Sequence, residues 1–244
     1  MDNQSEPPLG SLKKKEEVRQ MFNDIAFRYD FLNHVLSFQI DKRWRKKLIR
    51  ILSEHKPHNL LDVATGTGDL AITASSYLDI QKIVGIDISE EMLKFAQKKI
   101  YDRGLQEIIH VRVADSENMP FEKESFDACM VAFGVRNFEN LQQGIDEMFR
   151  VLNPGGIALI LEFSNPQKTP FKQLYTFYFR FILPAVGRWI SKHNKAYSYL
   201  PDSVVNFPQG EKFLDIMQKA GFESRSFKPL TFGIATIYQG TKPH

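Results

Sequence analysis

Short apolar and β-branched runs alternate with helical segments through the middle of the chain, and this alternation restricts the possible folds more than any other sequence feature. Each run has the length of one strand, and a helical segment separates each run from the next. Strands that alternate with helices are typical of a doubly wound, parallel α/β sheet. The five predicted strands are residues 59–64, 82–87, 108–114, 126–132 and 157–163.

Helices are predicted between these strands and also before and after them. The helices between the strands are residues 70–78, 89–103, a short segment near Glu117, and 141–152. The others are residues 13–33 and 39–53 before the first strand and 210–220 near the end of the chain. Two last strands, 224–228 and 232–239, are joined by the short segment "PLT". Because this connection is too short for a crossover helix, the two strands should pair antiparallel.

Length, charge and cysteine content exclude several classes of protein. A chain of 244 residues suits one α/β domain with a sizeable core and is short for two. A net charge of +3 with scattered basic residues does not match a nucleic-acid footprint, although it suits an anionic membrane surface. The single cysteine, Cys129, excludes an internal disulfide and is predicted to lie in the core. The spacing of the histidines indicates no metal site.

The sequence predicts neither a signal peptide nor a membrane span. Its first residues are polar and acidic, without the apolar centre of a signal peptide. No apolar run reaches the roughly 18 residues that cross a bilayer. We therefore expect a cytoplasmic protein, with peripheral contact at the inner face of the membrane left open.

The stretch "LLDVATGTGDL", residues 60–70, is typical of a buried strand that ends in a glycine turn and opens a helix. A Walker phosphate loop is excluded, because no Lys-Ser/Thr pair follows Gly68. Gly66, Gly68 and Ala71 satisfy the dinucleotide pattern, and Asp87 closes the second strand, where a ribose acceptor is expected. Any nucleoside-binding α/β domain needs this turn and this acid, so the match alone does not identify the ligand.

Acidic residues around the turn favour a cationic nucleoside over a pyrophosphate. Asp69 lies in the first turn of the following helix, where it should repel a phosphate, and Asp62 lies on the other side of the glycine turn. S-adenosyl-L-methionine carries a ribose, a sulfonium and an amino group but no phosphate, and therefore fits better. After the third strand, Asp115 can accept a hydrogen bond from an adenine amino group, and the backbone N–H of Ser116 can reach a ring nitrogen.

Several motifs together resemble those of class I methyltransferases: "DVATGTGD", "GIDISEEML", "ADSENMPF", "FDACMVAFGVRN" and "RVLNPGGIALILEFSNP". With "YDFLNHVLSFQIDKRWR" and "YSYLPDSVVNFP", the resemblance narrows to the ubiquinone/menaquinone biosynthesis C-methyltransferase family and extends from about Val18 to Lys242. It implies a Rossmann-like, S-adenosylmethionine-dependent fold with a mostly parallel seven-stranded sheet and an antiparallel terminal strand. The expected organisation is a single methyltransferase domain: an N-terminal helical cap (1–53), a cofactor-binding core (54–163), a substrate-side insertion (164–209) and a terminal helix and hairpin (210–244).

The resemblance also assigns roles to individual residues. The predicted cofactor-binding residues are Asp62, Gly66, Thr67 and Gly68 around the methionine end, Asp87 at the ribose, and Asp115 and Ser116 at the adenine. A simpler alternative for Asp87 is to cap the helix that begins near Ser89.

On the substrate side, the family acts on a polyprenylated quinol. A phenol becomes a good carbon nucleophile as its oxygen loses the proton. Arg136 stays protonated, so we predict that it stabilises the developing phenolate or orients a water, and that Asn137 holds Arg136 or the quinol oxygen. Closing a surface turn is the simpler role for both. The candidate proton acceptors are Asp30, His34 and Tyr197.

The resulting hypothesis is methyl transfer from S-adenosyl-L-methionine to a ring carbon of a demethylated menaquinol. Methylation of a 2-polyprenyl-6-methoxy-1,4-benzoquinol in ubiquinone biosynthesis is the nearest alternative. An NAD-dependent dehydrogenase and a non-catalytic quinone-binding module are alternatives from other classes. The aromatic segment 175–189 is either a buried helix or a cover that admits an isoprenoid tail or rests on a membrane.

Overall fold

A seven-stranded sheet organises the computed structural model, which describes residues 15–27, 37, 39–177 and 203–244. The strand order is β3-β2-β1-β4-β5-β7-β6. The first five strands pair in parallel, and β7 pairs antiparallel with both β5 and β6. This topology confirms the predicted fold class and the antiparallel pairing of the last two strands.

The strands, in chain order, are β1 (Asn59–Val63), β2 (Lys82–Asp87), β3 (Ile109–Val113), β4 (Phe126–Ala132), β5 (Leu152–Phe163), β6 (Glu223–Leu230) and β7 (Ala235–Thr241). The helices, labelled here in the same way, are α1 (residues 15–27), α2 (Ile40–Ser53), α3 (Asp69–Tyr77), α4 (Glu90–Asp102), α5 (Leu141–Val151), α6 (Phe171–Phe177) and α7 (Glu211–Lys219). Short 3₁₀ turns occur at Val135–Asn137 and Thr231–Gly233.

Most predicted elements differ from the structure by at most two residues at either end, and three differ for reasons that the local contacts explain. Strand β5 begins at Leu152 rather than at residue 157, because the extended segment before Gly156 stays paired with the end of β7 through Lys242. No helix forms near Glu117, because the Asp115 carboxylate accepts a hydrogen bond from the Glu117 N–H at 2.9 Å and holds a turn. Phe232 lies in a 3₁₀ turn with φ of 60°, so β7 starts only at Ala235.

Two apolar clusters fill the two sides of the sheet. Leu60 belongs to one cluster, together with the buried face of α2, and Leu61 belongs to the other, together with α5 and α7. A strand that is buried on both faces has apolar side chains at consecutive positions, which explains the continuous apolar runs in the sequence. Cys129 lies in the second cluster with no exposure, as predicted, and burial raises the pKa of its thiol.

The parallel arrangement sets where a ligand can bind. Strands β1 to β5 all run in the same direction, so their carboxyl ends lie along one edge of the sheet. The strand order reverses between β1 and β4, where the connections leave to opposite sides and open a crevice. Within the part of the chain that the structure describes, none of the helices has the length and apolar character needed to cross a bilayer.

At the opposite edge, Asp127 ties the beginnings of several strands together. Its carboxylate accepts hydrogen bonds from the N–H groups of His58 and Asn59 and from the Asn153 amide, each at 2.9 Å. Burial acts to raise the pKa of Asp127, but these hydrogen bonds outweigh it and lower the pKa below its usual value.

We expect Asp127→Asn to lower the free energy of unfolding by about 1–2 kcal/mol at neutral pH, because one amide oxygen cannot accept all three hydrogen bonds. An acid with a lowered folded pKa stabilises the fold above its unfolded pKa of about 4, and this stabilisation is lost as the pH falls through the folded pKa. Urea unfolding at several pH values checks this, with the wild type losing its advantage only in acid. Equal stability of the two proteins at pH 7 would contradict the assignment.

Candidate active site

A pocket lies at the carboxyl ends of β1, β2 and β4, in the crevice that the strand order creates. Its walls come from the turn after β1, the end of β2, the loop after β3 and the turn after β4, and α1 contributes a further side. Four of the predicted cofactor positions, Gly66, Asp87, Asp115 and Ser116, line this pocket together with Asn137, which was predicted for the substrate side. Residues that are far apart in the sequence therefore meet at one place.

The glycine turn after β1 leaves space in front of it. Gly66 has a φ of +57°, and a Cβ placed on it would meet no atom within 4 Å among the described residues, its two chain neighbours aside. Gly68 also has a positive φ, and a Cβ there would come within 3.3 Å of Ala96 on α4. A side chain at Gly66 would thus enter open space at the pocket, whereas one at Gly68 would push α4 away.

Asp62 and Thr65 support this turn from below. The Thr65 hydroxyl donates a 2.6 Å hydrogen bond to the Asp62 carboxylate, which is 1% exposed. Burial raises the pKa of Asp62 to about 7, against the lowering effect of the Thr65 hydrogen bond. Asp62 does not line the pocket in this structure, so its predicted contact with the cofactor stays a prediction.

The carboxylate of Asp87 connects the end of β2 to two neighbouring segments. One oxygen accepts from the Gly66 N–H and the other from the Ser89 N–H, both at 2.9 Å. Burial raises the pKa of Asp87, and these backbone hydrogen bonds act against the rise. Ser89 itself caps α4, its hydroxyl accepting from the Met92 N–H. Asp87 therefore helps to order the start of α4 and also faces the pocket.

The negative charge of Asp69, which should repel a phosphate, has a counter-ion in the structure. Lys99 on α4 forms an ion pair with Asp69 at 2.5 Å and donates a 3.0 Å hydrogen bond to the hydroxyl of Thr67. The positive charge compensates much of the repulsion that Asp69 would exert on a phosphate. Thr67 is 3% exposed and does not line the pocket, so its predicted contact with the methionine end is untested.

At the far end of the pocket, two acids lie under a lysine from α1. Lys15 contacts the carboxylates of Asp115 at 2.7 Å and Glu117 at 3.1 Å. Burial lowers the pKa of Lys15, but the two acids outweigh it and raise the pKa overall. Val18 and Phe22, also on α1, line the same side. The sequence gives no signal for these contacts, because helical periodicity does not determine where a helix docks.

The loop after β3 is held in place by α5. The Met119 N–H donates to the Glu147 carboxylate at 2.6 Å, and Arg150 donates to the carbonyl of Met119 at 3.0 Å. Gln143 donates to the carbonyl of Glu117 at 2.7 Å. The position of Asp115 and Ser116 is therefore fixed by a helix that itself lies outside the pocket.

Apolar side chains between the two polar ends form a slot suited to a flat base. Ile88 and Met92 come from the end of β2 and the start of α4, and Phe138 comes from the turn after β4. A Cβ on Gly144 of α5 would lie 2.3 Å from the Phe138 ring, so Phe138 packs directly against the backbone of that helix. Ile88 directly follows Asp87, the predicted ribose acceptor, and this position is the signal that could have identified it from the sequence.

The turn after β4 forms the remaining wall. Phe133 has a φ of 61°, and a Cβ on Gly134 would lie 2.6 Å from Ala64, so the two turns are in close contact. Asn137 faces the pocket, and its Oδ1 atom is buried with no hydrogen-bond partner among the described residues. An unpaired, buried acceptor at a pocket wall is suited to a ligand that donates a hydrogen bond.

Arg136 lies behind this wall and does not line the pocket. Its Nη1 donates to the Glu162 carboxylate at 2.8 Å and to the carbonyl of Phe133, and its guanidinium lies 5.4 Å from the centre of the Phe163 ring. The Arg136 Nε–H is buried without a hydrogen-bond partner among the described residues. The contact of Arg136 with Glu162 was missed from the sequence.

The predicted proton acceptors Asp30, His34 and Tyr197 lie outside the described residues, as does most of the aromatic segment 175–189. Within the described ranges, no three His, Cys, Asp or Glu side chains form a group that could hold a metal ion. The pocket does fit S-adenosyl-L-methionine, on the observations of this structure: open space at Gly66, the Asp87 carboxylate beside it and an apolar slot leading to Asp115 and Ser116.

Comparison with known proteins agrees with this geometry. A model of the ubiE/COQ5 methyltransferase family matches residues 11–242. The chain is 46% identical to a demethylmenaquinone methyltransferase of Bacteroides fragilis over 94% of both chains. It is 45% identical to a ubiquinone/menaquinone biosynthesis C-methyltransferase UbiE of Geobacter sulfurreducens, over 94% of this chain and 90% of that protein.

Among solved structures, the fold is similar to that of an S-adenosylmethionine-dependent methyltransferase of Thermotoga maritima described as a possible histamine N-methyltransferase. The TM-score is 0.65 at 18% identity, covering 92% of this chain and 99% of the other. At this identity the likeness shows the fold alone, whereas the family match extends over nearly the whole sequence. The chain therefore belongs to the ubiE/COQ5 methyltransferase family and is an S-adenosylmethionine-dependent C-methyltransferase.

Proposed function

We propose that this enzyme methylates a ring carbon of a demethylated menaquinol, giving menaquinol. The observation that carries the proposal is the buried, unpaired Oδ1 atom of Asn137 at the pocket wall. A quinol hydroxyl is a hydrogen-bond donor of the kind that this oxygen lacks. Phe133 lines the pocket at the start of the same turn and offers apolar surface to an aromatic ring. The name of the Bacteroides fragilis relative supports the same substrate.

Different residues of the pocket bind different parts of the cofactor. S-adenosyl-L-methionine supplies a methyl group activated by the sulfonium. Asp87 accepts from the ribose hydroxyls with the lone pairs that Gly66 and Ser89 leave available. Asp115 and the Ser116 N–H hold the adenine, while the turn formed by Gly66, Thr67 and Gly68, with Asp62 below it, holds the methionine end.

On the acceptor side, Asn137 holds the quinol oxygen so that the ring carbon next to it faces the methyl group. Bound S-adenosyl-L-methionine would give its methyl group to this carbon as the bond from the methyl group to the sulfonium breaks, leaving S-adenosylhomocysteine, and the ring carbon would then lose its proton to water. Positioning of this kind supplies a large part of the rate acceleration of a bimolecular reaction. Arg136 acts from behind Asn137, because its guanidinium is bound to Glu162 and to the carbonyl of Phe133.

Methylation of a benzoquinol precursor of ubiquinone is the second candidate function. The name of the Geobacter sulfurreducens relative includes both quinones, and the contacts proposed for Asn137 suit the hydroxyl of either ring. The naphthoquinol ring of menaquinol is larger and more apolar than a benzoquinol carrying a methoxy group. Relative turnover of the two acceptors therefore decides between them.

We also propose that α6 faces a membrane surface. Phe171 stacks on Phe232 with ring centres 3.7 Å apart, and Leu174 and Phe232 are each more than half exposed. The Thr231–Gly233 turn lies beside the carboxyl end of β5, where Ser164 bonds to Gly233, so these side chains share the edge of the sheet with the pocket. Lys172 is exposed on the same helix. Exposed aromatic and apolar side chains with a nearby cation suit an anionic bilayer surface, where a polyprenylated substrate resides.

The direct test supplies the purified enzyme with the methyl donor and a short-chain demethylmenaquinol. We expect a product heavier by one CH₂ unit, seen by mass spectrometry, and slower conversion of a methoxybenzoquinol. Faster conversion of the benzoquinol would reverse the order of the two candidates. If neither quinol is methylated and NAD but not S-adenosylhomocysteine raises the melting temperature, the proposed function is wrong.

The Asp87→Asn variant tests the cofactor assignment. An amide retains the shape but has one acceptor oxygen instead of two, so either the Gly66 turn or the ribose loses its partner. We expect the affinity for S-adenosylhomocysteine, measured by calorimetry, to fall by about 10- to 100-fold. Asp102→Asn, at the exposed end of α4, is the matched control and should bind like the wild type. Unchanged affinity in Asp87→Asn would remove Asp87 from the site.

The Asn137→Ala variant tests the acceptor side. Turnover should fall by about 10- to 100-fold, because the quinol oxygen loses the group that orients it. Binding of S-adenosylhomocysteine should change little, since the adenosine contacts lie at the other end of the pocket. Asn153→Ala removes an amide at the opposite end of the sheet and serves as the control in steady-state kinetics. Wild-type turnover in Asn137→Ala would exclude contact of this side chain with the substrate.

A further inference from the structure

Glu162 is the most enclosed acid beside the pocket, and the proposed function does not yet use it. It lies at the carboxyl end of β5, one residue beyond the pairing of Ala132 with Leu161, and is 0% exposed. Oε2 accepts from the Arg136 N–H at 3.2 Å, and Oε1 accepts from Arg136 Nη1 and the Phe163 N–H, each at 2.8 Å. One carboxylate thus binds both the backbone and the side chain of Arg136.

These contacts close the turn after β4 at both ends. Arg136 Nη1 donates to the carbonyl of Phe133 as well as to Glu162, so the first and fourth residues of the turn are joined. The Asn137 N–H donates to the carbonyl of Gly134 at 3.0 Å. Phe133 and Asn137, two of the side chains by which this turn lines the pocket, are therefore carried by a backbone that Glu162 holds through Arg136.

A contribution to the stability of the fold is not enough to explain the ion pair between Arg136 and Glu162. The side chains of Arg136 and Glu162 are 7% and 0% exposed, so both charges have lost most of their hydration. The cost of burying two charges often equals or exceeds their attraction, and apolar side chains of similar volume can replace such pairs without loss of stability. What an ion pair with directional hydrogen bonds adds is a fixed geometry. Here that geometry belongs to a wall of the active site.

We propose that Glu162 is a positioning residue for methyl transfer, which acts through Arg136 to hold Asn137 and Phe133 in their places at the acceptor side. The inference rests on the proposed function for the identity of the acceptor, but the contact of Glu162 with the turn does not depend on which quinol is used. Arg136 then contributes to catalysis by connecting Glu162 to the turn, and not by contact with the substrate. Because Glu162 neutralises the guanidinium, the pair offers no net charge to a phenolate.

The first test compares Glu162→Gln, Arg136→Gln and the double variant in steady-state kinetics with the better quinol acceptor. Each single variant should lower kcat by about 10- to 100-fold, because a small displacement of an orienting group has an effect of this size. Binding of S-adenosylhomocysteine should stay near the wild-type value. In the double variant two neutral amides can bond to each other, so its kcat should be no lower than that of the worse single variant.

Asp127→Asn is the matched control, since it also replaces a hydrogen-bonded acid with an amide at a strand end but lies at the opposite edge of the sheet. It should lose stability and keep kcat. If Glu162→Gln keeps the wild-type kcat, or if the losses of the two single variants multiply in the double variant, the proposal is overturned. The second result would place Arg136 at the substrate on its own account.

Glu162→Asp covers the case in which Glu162→Gln does not fold. It keeps the charge but is shorter by one methylene, so it cannot reach both the backbone and the side chain of Arg136. We expect it to fold with a reduced kcat, and a wild-type kcat in this variant would show that Glu162 only supports the fold.

A readout without turnover separates this proposal from the proposed function. Hydrogen exchange of the peptide that covers residues 133–138 should be faster in Glu162→Asp than in the wild type and in Asp127→Asn. If the wild type methylates no quinol, the proposed function fails while this measurement still decides the role of Glu162. Unchanged exchange of this peptide would overturn the positioning role.

Discussion

The carboxylate of Asp87 joins the parts on which the site depends. It sits at the end of β2, accepts from the Gly66 N–H of the turn after β1, and accepts from the Ser89 N–H where α4 is about to begin. The two oxygens of one carboxylate thus fix the end of β2, the turn after β1 and the start of α4 relative to one another. A ligand that also bonds to these oxygens meets acceptors whose positions are already set, so little ordering is required on binding.

On the acceptor side, too, an acid on one strand holds the turn that follows the neighbouring strand. Where β2 uses a carboxylate to hold the turn of its neighbour β1, β5 uses Glu162 to hold the turn that follows its neighbour β4. In both cases an acid at the carboxyl end of one strand bonds to backbone N–H groups that follow an adjacent strand. The backbone N–H groups of Gly66 and Arg136 are bonded to these acids, so they do not need a ligand or water in the pocket as a partner.

Local patterns in the sequence predict most helices and strands correctly, but they do not predict how these elements pack against one another. β2 and β4 have the predicted limits, because both are apolar runs with clear ends. The predicted helix near Glu117 is wrong, since the Asp115 side chain competes for the backbone N–H. Asp87 and Asp115 could be placed at the pocket because carboxyl ends of parallel strands share an edge. Lys15 and Glu162 could not, because their contacts depend on how α1 docks and on the exact depth of β5.

The packing of Phe138 against Gly144 has a consequence for how this scaffold can vary. The ring occupies the volume that a β-carbon at position 144 would need, so α5 can approach the slot only because that position carries no side chain. Any larger residue there would drive the ring toward the pocket or lift the helix, and the same helix anchors the loop after β3 through Glu147. The width of the slot at Phe138 and the position of the loop after β3 therefore both depend on where α5 lies, so a substitution that changes one also changes the other.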